Sequence, residues 1–144
     1  MRDIIRAATI SPDDTILEIG PGKGVLTEAL LGEIGEGKVI AIEKDDRMIP
    51  FLQEKFATAI AQKKLVLIHG DILETSVSDL KNLGLAPHNY KIIANIPYYI
   101  TSRFLRLFLS ETKFRSKLMV LMVQREVAER ILARDGKESL LSLS

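Results

Sequence analysis

Short runs of Ile, Val and Leu alternate along this chain with stretches whose apolar residues recur every three to four positions. The runs are Thr15–Ile19, Lys38–Ile42, Leu65–Ile68, Lys91–Ala94 and Leu118–Val123. Helical spacing occupies Val25–Ile34, Arg47–Gln62, Ser102–Leu109 and Arg125–Arg134, with a shorter helix expected around Val77–Leu83. Strands that are apolar throughout need cover on both faces, and the intervening helices supply it. The pattern predicts an α/β domain: a doubly wound parallel sheet with right-handed crossovers. Arg2–Ala8 reads as the last turns of a helix, and Ser139–Ser144 (SLLSLS) as the start of a further apolar element. The domain is therefore expected to be truncated at both ends.

Length and composition narrow this only slightly. A chain of 144 residues with 47% hydrophobic and 27% charged positions suits one globular domain spanning 1–144. The absence of cysteine excludes disulfides and thiolate metal sites. His69 and His88 are too far apart for a metal motif, so no metal is expected. No apolar run approaches the length of a membrane span, and Met1–Ile10 lacks the apolar middle of a signal peptide. A cytoplasmic location and no membrane partner are the expectation.

Charge adds one feature. Residues 1–102 hold 11 basic and 14 acidic groups, whereas residues 103–144 hold 9 basic and 5 acidic. Arg103, Arg106, Lys113, Arg115 and Lys117 cluster within this second part, opposed locally by Glu111. A solvated helix face explains such a cluster at least as often as a patch that binds nucleic-acid phosphates.

The chemistry lies where the strands end. The first runs into LEIGPGKGVLT, where Gly20, Gly22 and Gly24 permit a tight turn and close approach of a ligand before a helix begins. A plain turn accounts for some strings of this kind, and the spacing is G-x-G-x-G, not the G-x-G-x-x-G of dinucleotide sites. Glu18, inside the strand, suits a ligand carrying positive charge. The second strand ends in AIEKD, placing Glu43 where a carboxylate can accept both hydroxyls of a ribose; helix capping is its plainer role. The third ends in IHGDIL, with Asp71 able to accept from an exocyclic amine, and the fourth in KIIANIPYYI at Asn95. Four strands delivering a glycine turn or a polar group at one edge mark a ligand site.

An exocyclic amine of adenine is a weak nucleophile, because its lone pair is delocalised into the ring. Asn95 offers a side-chain carbonyl to its hydrogens, and the Ile96 peptide carbonyl offers a second acceptor. Pro97 stiffens the loop, and Tyr98 presents a face for the base, worth about 1–3 kcal/mol in comparable contacts. Tyr99 is expected to pack rather than stack. Positioning, not a strong base, is the catalytic means.

The order E-I-G-P-G-K-G, I-E, G-D-I, N-I-P-Y resembles the S-adenosylmethionine-dependent ribosomal RNA adenine N6,N6-dimethyltransferases. The resemblance extends through LTEAL, DRMIPFL at 46–52 and VQREVAER at 123–130. It implies a Rossmann-like methyltransferase fold, with Gly20 lining the cofactor, Glu43 on its ribose, Asp71 at its adenine amine, Ile72 packed on that ring, and Asn95 facing both substrates. Ile96, where DNA adenine methyltransferases have a second proline, favours ribosomal RNA. Pro21 and YYITS resemble the small-subunit (16S) enzymes more than the 23S ones. The implied partner is the small ribosomal subunit precursor, in ribosome biogenesis.

The chain also departs from the family. Nothing matches its N-terminal glutamine-asparagine-phenylalanine-leucine segment, its later proline-rich motif or its C-terminal helical domain, and Arg103 stands where many members have proline. The reading is thus an incomplete catalytic domain, with a weakly active or inactive RNA-binding or assembly module, and a 23S enzyme, as alternatives. A nicotinamide-binding oxidoreductase fits neither the glycine spacing nor N-I-P-Y. Finally, Leu118–Val123 is expected to form an exposed apolar edge through which copies self-associate, with Leu140, Leu141 and Leu143 left without partners.

Overall fold

The computed structural model describes residues 2–111, 113–134 and 139–143; the side chains of Tyr98, Ser110, Glu111, Gln124 and Val127 and of residues 131–144 lie outside this description. Six strands form its sheet: β1 Thr15–Ile19, β2 Lys38–Glu43, β3 Leu65–His69, β4 Lys91–Asn95, β5 Leu118–Gln124 and β6 Ser139–Leu143. They lie in the order β3-β2-β1-β4-β5-β6, and all five neighbouring pairs are parallel. This is the doubly wound order of the Rossmann fold. The chain winds outward from β1 to β3, then crosses back to place β4 against the free side of β1. The strand order reverses between β1 and β4, and a crevice opens there beyond their carboxyl ends.

Helices α1 Arg2–Ala8, α2 Val25–Glu33, α3 Met48–Lys55, α4 Ala57–Ala61, α5 Val77–Asn82, α6 Tyr98–Leu105 and α7 Arg125–Arg134 connect the strands. No helix among the described residues is long and apolar enough to cross a membrane. Period-two alternation sends successive strand residues to opposite faces. Leu17, Ile40 and Ile92 meet Leu80, Phe104 and Phe108 on one face, while Ile16, Val39 and Ile93 meet Ile4, Leu30 and Leu52 on the other. Both faces are apolar and covered, as the uninterrupted strands require.

At the amino edge of the sheet, Lys91 is buried and donates to the Ala8 and Thr9 carbonyls (3.1 and 2.8 Å) and to Asp14 (2.7 Å). The ammonium thus satisfies carbonyls at the end of α1 and ties that helix to β4. Burial by itself raises the Asp14 carboxyl. Hydrogen bonds from Lys91 and the Ser11 N–H, with the charges of Lys91 and Lys117, outweigh burial and hold it below its ordinary value.

Three expectations change. The helix predicted over 47–62 is interrupted at Phe56 (φ −112°, ψ 27°), and the buried ring packs beneath the β1–α2 turn. Periodicity does not reveal this, because Phe56 follows Leu52 by four residues. The helix after Pro97 starts at Tyr98, not Ser102, and continues beyond Leu105 as π-helical turns over Arg106–Glu111. Last, β5 is not an edge: β6 pairs along it from Val120↔Ser139 to Gln124↔Leu143, occupying the backbone groups expected to be open. Self-association through an exposed fifth strand therefore loses its structural basis.

Candidate functional site

The crevice at the strand-order reversal is a cleft of about 580 Å3, within the usual range for small-molecule and cofactor sites. Its walls come from the carboxyl ends of β1 to β4 and the first turn of α6.

Gly20 closes β1 with φ +74°, and a Cβ placed there would lie 2.7 Å from the main-chain oxygen of Asn95. The exits of β1 and β4 therefore touch, and only a residue without a side chain fits between them. Gly22, at φ +57°, has open space on its side-chain side and donates its N–H to Glu43 Oε2 at 2.9 Å. The other Glu43 oxygen accepts from the Asp45 N–H at 3.0 Å. A carboxylate offers roughly four lone-pair positions, so this buried side chain anchors two loops and retains acceptor capacity on the cleft wall.

Asp71 begins the 3₁₀ turn Ile72–Glu74, its Oδ1 accepting from the Leu73 N–H at 2.9 Å. Its Oδ2 lies 3.4 Å from the Nζ of Lys44, an exposed side chain on the same cleft. Ile72 is buried in the core yet borders the cleft, supplying an apolar surface beside Asp71.

Asn95 ends β4 on the exposed side of the cleft, and among the described residues nothing hydrogen-bonds its amide side chain. Ile96 is buried. Pro97, at φ −59° and ψ 147°, turns the chain into α6, and its carbonyl accepts from the Ile100 N–H and the Thr101 hydroxyl, both at 3.1 Å. N-I-P-Y is thus a strand end, a bend and a helix start. A missing N–H costs nothing at a helix start, and proline in that position was the sequence signal for it. Tyr99 is more open than expected: it is 71% exposed and borders the cleft. The stacking expected of Tyr98 falls on a side chain outside the described part.

Two residues proposed for cofactor contact lie elsewhere. Glu18 pairs in register with Ala41 and Ile93, on the face covered by α2, and is 1% exposed. The Thr27 hydroxyl donates to its carboxylate, 2.8 Å from Oε2. Burial pushes this carboxyl up to about 7; the Thr27 bond opposes the rise and the charge of Glu43 adds to it. Gly24 starts α2 at φ +85°, and a Cβ there would meet the Phe56 ring at 2.6 Å. Helix packing explains its lack of a side chain.

Glu18 has a consequence for stability. Its ordinary value is 4.5, so the native state holds a proton that the unfolded chain releases between pH 4.5 and about 7. The stabilisation is complete below the lower value and is lost as pH rises through the upper one, about 3 kcal/mol in all. Glu18→Gln, which mimics the protonated form, is expected to remove this dependence. Urea midpoints at about pH 5 and pH 8 check it; an equal pH response in both proteins rules the role out.

The five basic residues of the cluster do not converge. Arg103 and Arg106 lie on α6 and its continuation, whereas the segment from Lys113 to Lys117 runs to the opposite edge of the sheet. There the His88 N–H donates to the Arg115 carbonyl (2.8 Å) and the Lys117 N–H to the Tyr90 carbonyl (2.7 Å). Among the cleft residues that sequence reasoning did not single out, Lys44 and Leu73 flank residues it did, as does Tyr99, which it assigned to packing. Their neighbours were the available signal.

The family model of ribosomal RNA adenine dimethylase matches residues 1–144. A ribosomal RNA small subunit methyltransferase A from Dehalococcoides mccartyi is 47% identical over 144 residues, covering 100% of this chain and 46% of that protein. Among solved structures, a dimethyladenosine transferase from Plasmodium falciparum aligns with 94% of this chain and 45% of its own, at 35% identity and a TM-score of 0.70. A 23S rRNA methyltransferase, ErmE, aligns with 95% of this chain and 50% of its own, at 27% identity and a TM-score of 0.69. The chain thus spans about half the length of the curated relatives it matches. Strand order, the placing of the glycine turn and an unbroken match from first residue to last agree, and the chain belongs to the ribosomal RNA adenine dimethylase family.

Proposed function

We propose that residues 1–144 form a methyltransferase catalytic domain that binds S-adenosylmethionine in the cleft and methylates N6 of adenosine in small-subunit ribosomal RNA. The observation that carries this is the Asn95 amide, presented at the strand-order reversal beside Tyr99 and in main-chain contact with Gly20. It joins a place for a cofactor to a place for a planar base.

The residues present fit the cofactor. Gly22 leaves room for close approach, Glu43 keeps lone pairs for ribose hydroxyls, Ile72 offers an apolar face, and Asp71 has a carboxylate oxygen toward an exocyclic amine. Lys44 would have to yield its contact with that oxygen. When bound, S-adenosylmethionine supplies an electrophilic methyl group.

The chain supplies orientation. The Asn95 side-chain carbonyl and the Ile96 peptide carbonyl accept the two hydrogens of the adenine amine, aiming its nitrogen lone pair into the cleft. The nitrogen gains the methyl while still holding both of its hydrogens; one of them is then acidic and passes to water, so transfer needs no strong base. The exposed face of Tyr99 can hold the base in line. Small-subunit RNA is favoured over 23S RNA by Pro21 and YYITS, and by the Dehalococcoides relative, a ribosomal RNA small subunit methyltransferase A.

Glu43→Ala is expected to weaken S-adenosylmethionine binding by about 1–3 kcal/mol, the usual cost of a lost charged hydrogen bond. Part of the loss would come from freeing the Gly22 and Asp45 N–H groups. Isothermal calorimetry measures it, and an unchanged affinity would take Glu43 out of the site. Methyl transfer from labelled S-adenosylmethionine to small-subunit RNA tests the function as a whole.

A further inference from the structure

We infer that Arg103 and Arg106 form a phosphate subsite for the RNA strand whose adenosine enters the cleft; this rests on the function proposed above. The two residues are three apart in continuous helical geometry, Arg106 having φ −59° and ψ −46°, and so share one side of the helix. With Leu73 and Leu107 they enclose a recess of about 120 Å3. That is well below the ~300 Å3 at which small-molecule pockets begin, and it suits an oxyanion better than a base.

Both side chains are exposed, and among the described residues no carboxylate or carbonyl engages either guanidinium. Arg47 and Arg115 differ: Arg47 makes a two-point contact with Asp45, and Arg115 donates to the Leu109 carbonyl. Glu74, adjacent to Leu73, forms no ion pair with Arg103 or Arg106. Two like charges on neighbouring helix positions repel each other, and a phosphate between them relieves this while accepting from both forks.

Position links the recess to the proposed chemistry. Leu73 borders both the recess and the cleft, so the two share a wall. Arg103 and Arg106 follow Tyr99 by four and seven residues on the helix that begins at the base-binding end. At 1.5 Å per residue they stand about 6–10 Å along its axis. A strand placing one base against Asn95 would carry a nearby backbone phosphate past both guanidinium groups.

The test is the salt dependence of binding to an oligoadenylate RNA of about ten nucleotides, a length single-strand sites commonly cover. Each neutralised phosphate contributes about 0.7 to the slope of log affinity against log salt. The double variant Arg103→Gln/Arg106→Gln is expected to reduce the slope by about 0.7–1.4, while Lys113→Gln/Lys117→Gln leaves it unchanged. Melting temperature of the arginine variant, and S-adenosylmethionine affinity of both variants, should match the parent. The inference is overturned if the arginine variant keeps the parental slope. It is equally overturned if both variants lower the slope alike, as diffuse charge would. A parent chain that shows no salt-dependent binding overturns it too, and cofactor calorimetry then shows separately whether the cofactor reading survives.

Discussion

Replacing Asn95 with Ala is expected to lower the single-turnover rate of methyl transfer to adenosine by about 100-fold or more, with little change in RNA affinity. The magnitude follows removal of one preorganised hydrogen-bonding group acting on a reacting atom. The asymmetry follows from the place of Asn95. It is one contact among many for the RNA, but it is the side-chain acceptor proposed to fix the direction of the amine lone pair. Loss of an interaction that matters chiefly in the transition state lowers the rate without a matching loss of binding. Among the described residues nothing hydrogen-bonds the Asn95 side chain, so truncation leaves no partner unsatisfied and stability should hold. Rapid-quench methylation and RNA anisotropy, run on one preparation, separate the two quantities. Equal losses in rate and affinity would make Asn95 a binding contact rather than an orienting one.

Gly20→Ala is expected to damage stability and activity together, and more severely than Gly22→Ala. Both glycines have positive φ, which costs an L-residue about 1–2 kcal/mol. At Gly22 that strain is the main structural term, since a Cβ would meet nothing within 4 Å. At Gly20 the Cβ would also stand 2.7 Å from the Asn95 main-chain oxygen, an approach that backbone must move to relieve. Overpacking adds about 1–3 kcal/mol, giving a total of roughly 2–5 kcal/mol, and the backbone that moves carries the proposed amine acceptor. Urea unfolding of the two variants measures the difference. Similar midpoints would show that β1 and β4 adjust without strain, and that Gly20 does not hold Asn95 in place.

The elements themselves were legible in the sequence. Five apolar runs became β1 to β5 with bounds shifted by no more than a residue, and Arg125–Arg134 is a helix over its predicted span. Hydrophobic periodicity is a local property, and each of these segments states its own period. Gly20, Gly22, Glu43, Asp71, Ile72 and Asn95 were also placed at or just beyond strand ends, and the cleft brings all six together. Parallel strands covered by helices put every carboxyl end on one edge, so the sequence position of a strand end is enough to predict its company.

What tertiary structure alone decided was direction. In a strand buried on both faces the apolar pattern has no phase, so nothing local says which face Glu18 takes; the register with Ala41 and Ile93 turns it under α2. Gly24 was assigned to the ligand because its packing partner, Phe56, lies 32 residues on, at a break that helical spacing conceals. The basic cluster is contiguous in sequence, yet the return from α6 to β5 carries Lys117 to the amino edge while Arg103 stays on α6. The edge of the sheet likewise moved from β5 to β6, because pairing is a contact between segments and belongs to neither segment alone. Sequence specifies period and chemistry residue by residue; facing, burial and adjacency arise only when distant segments meet.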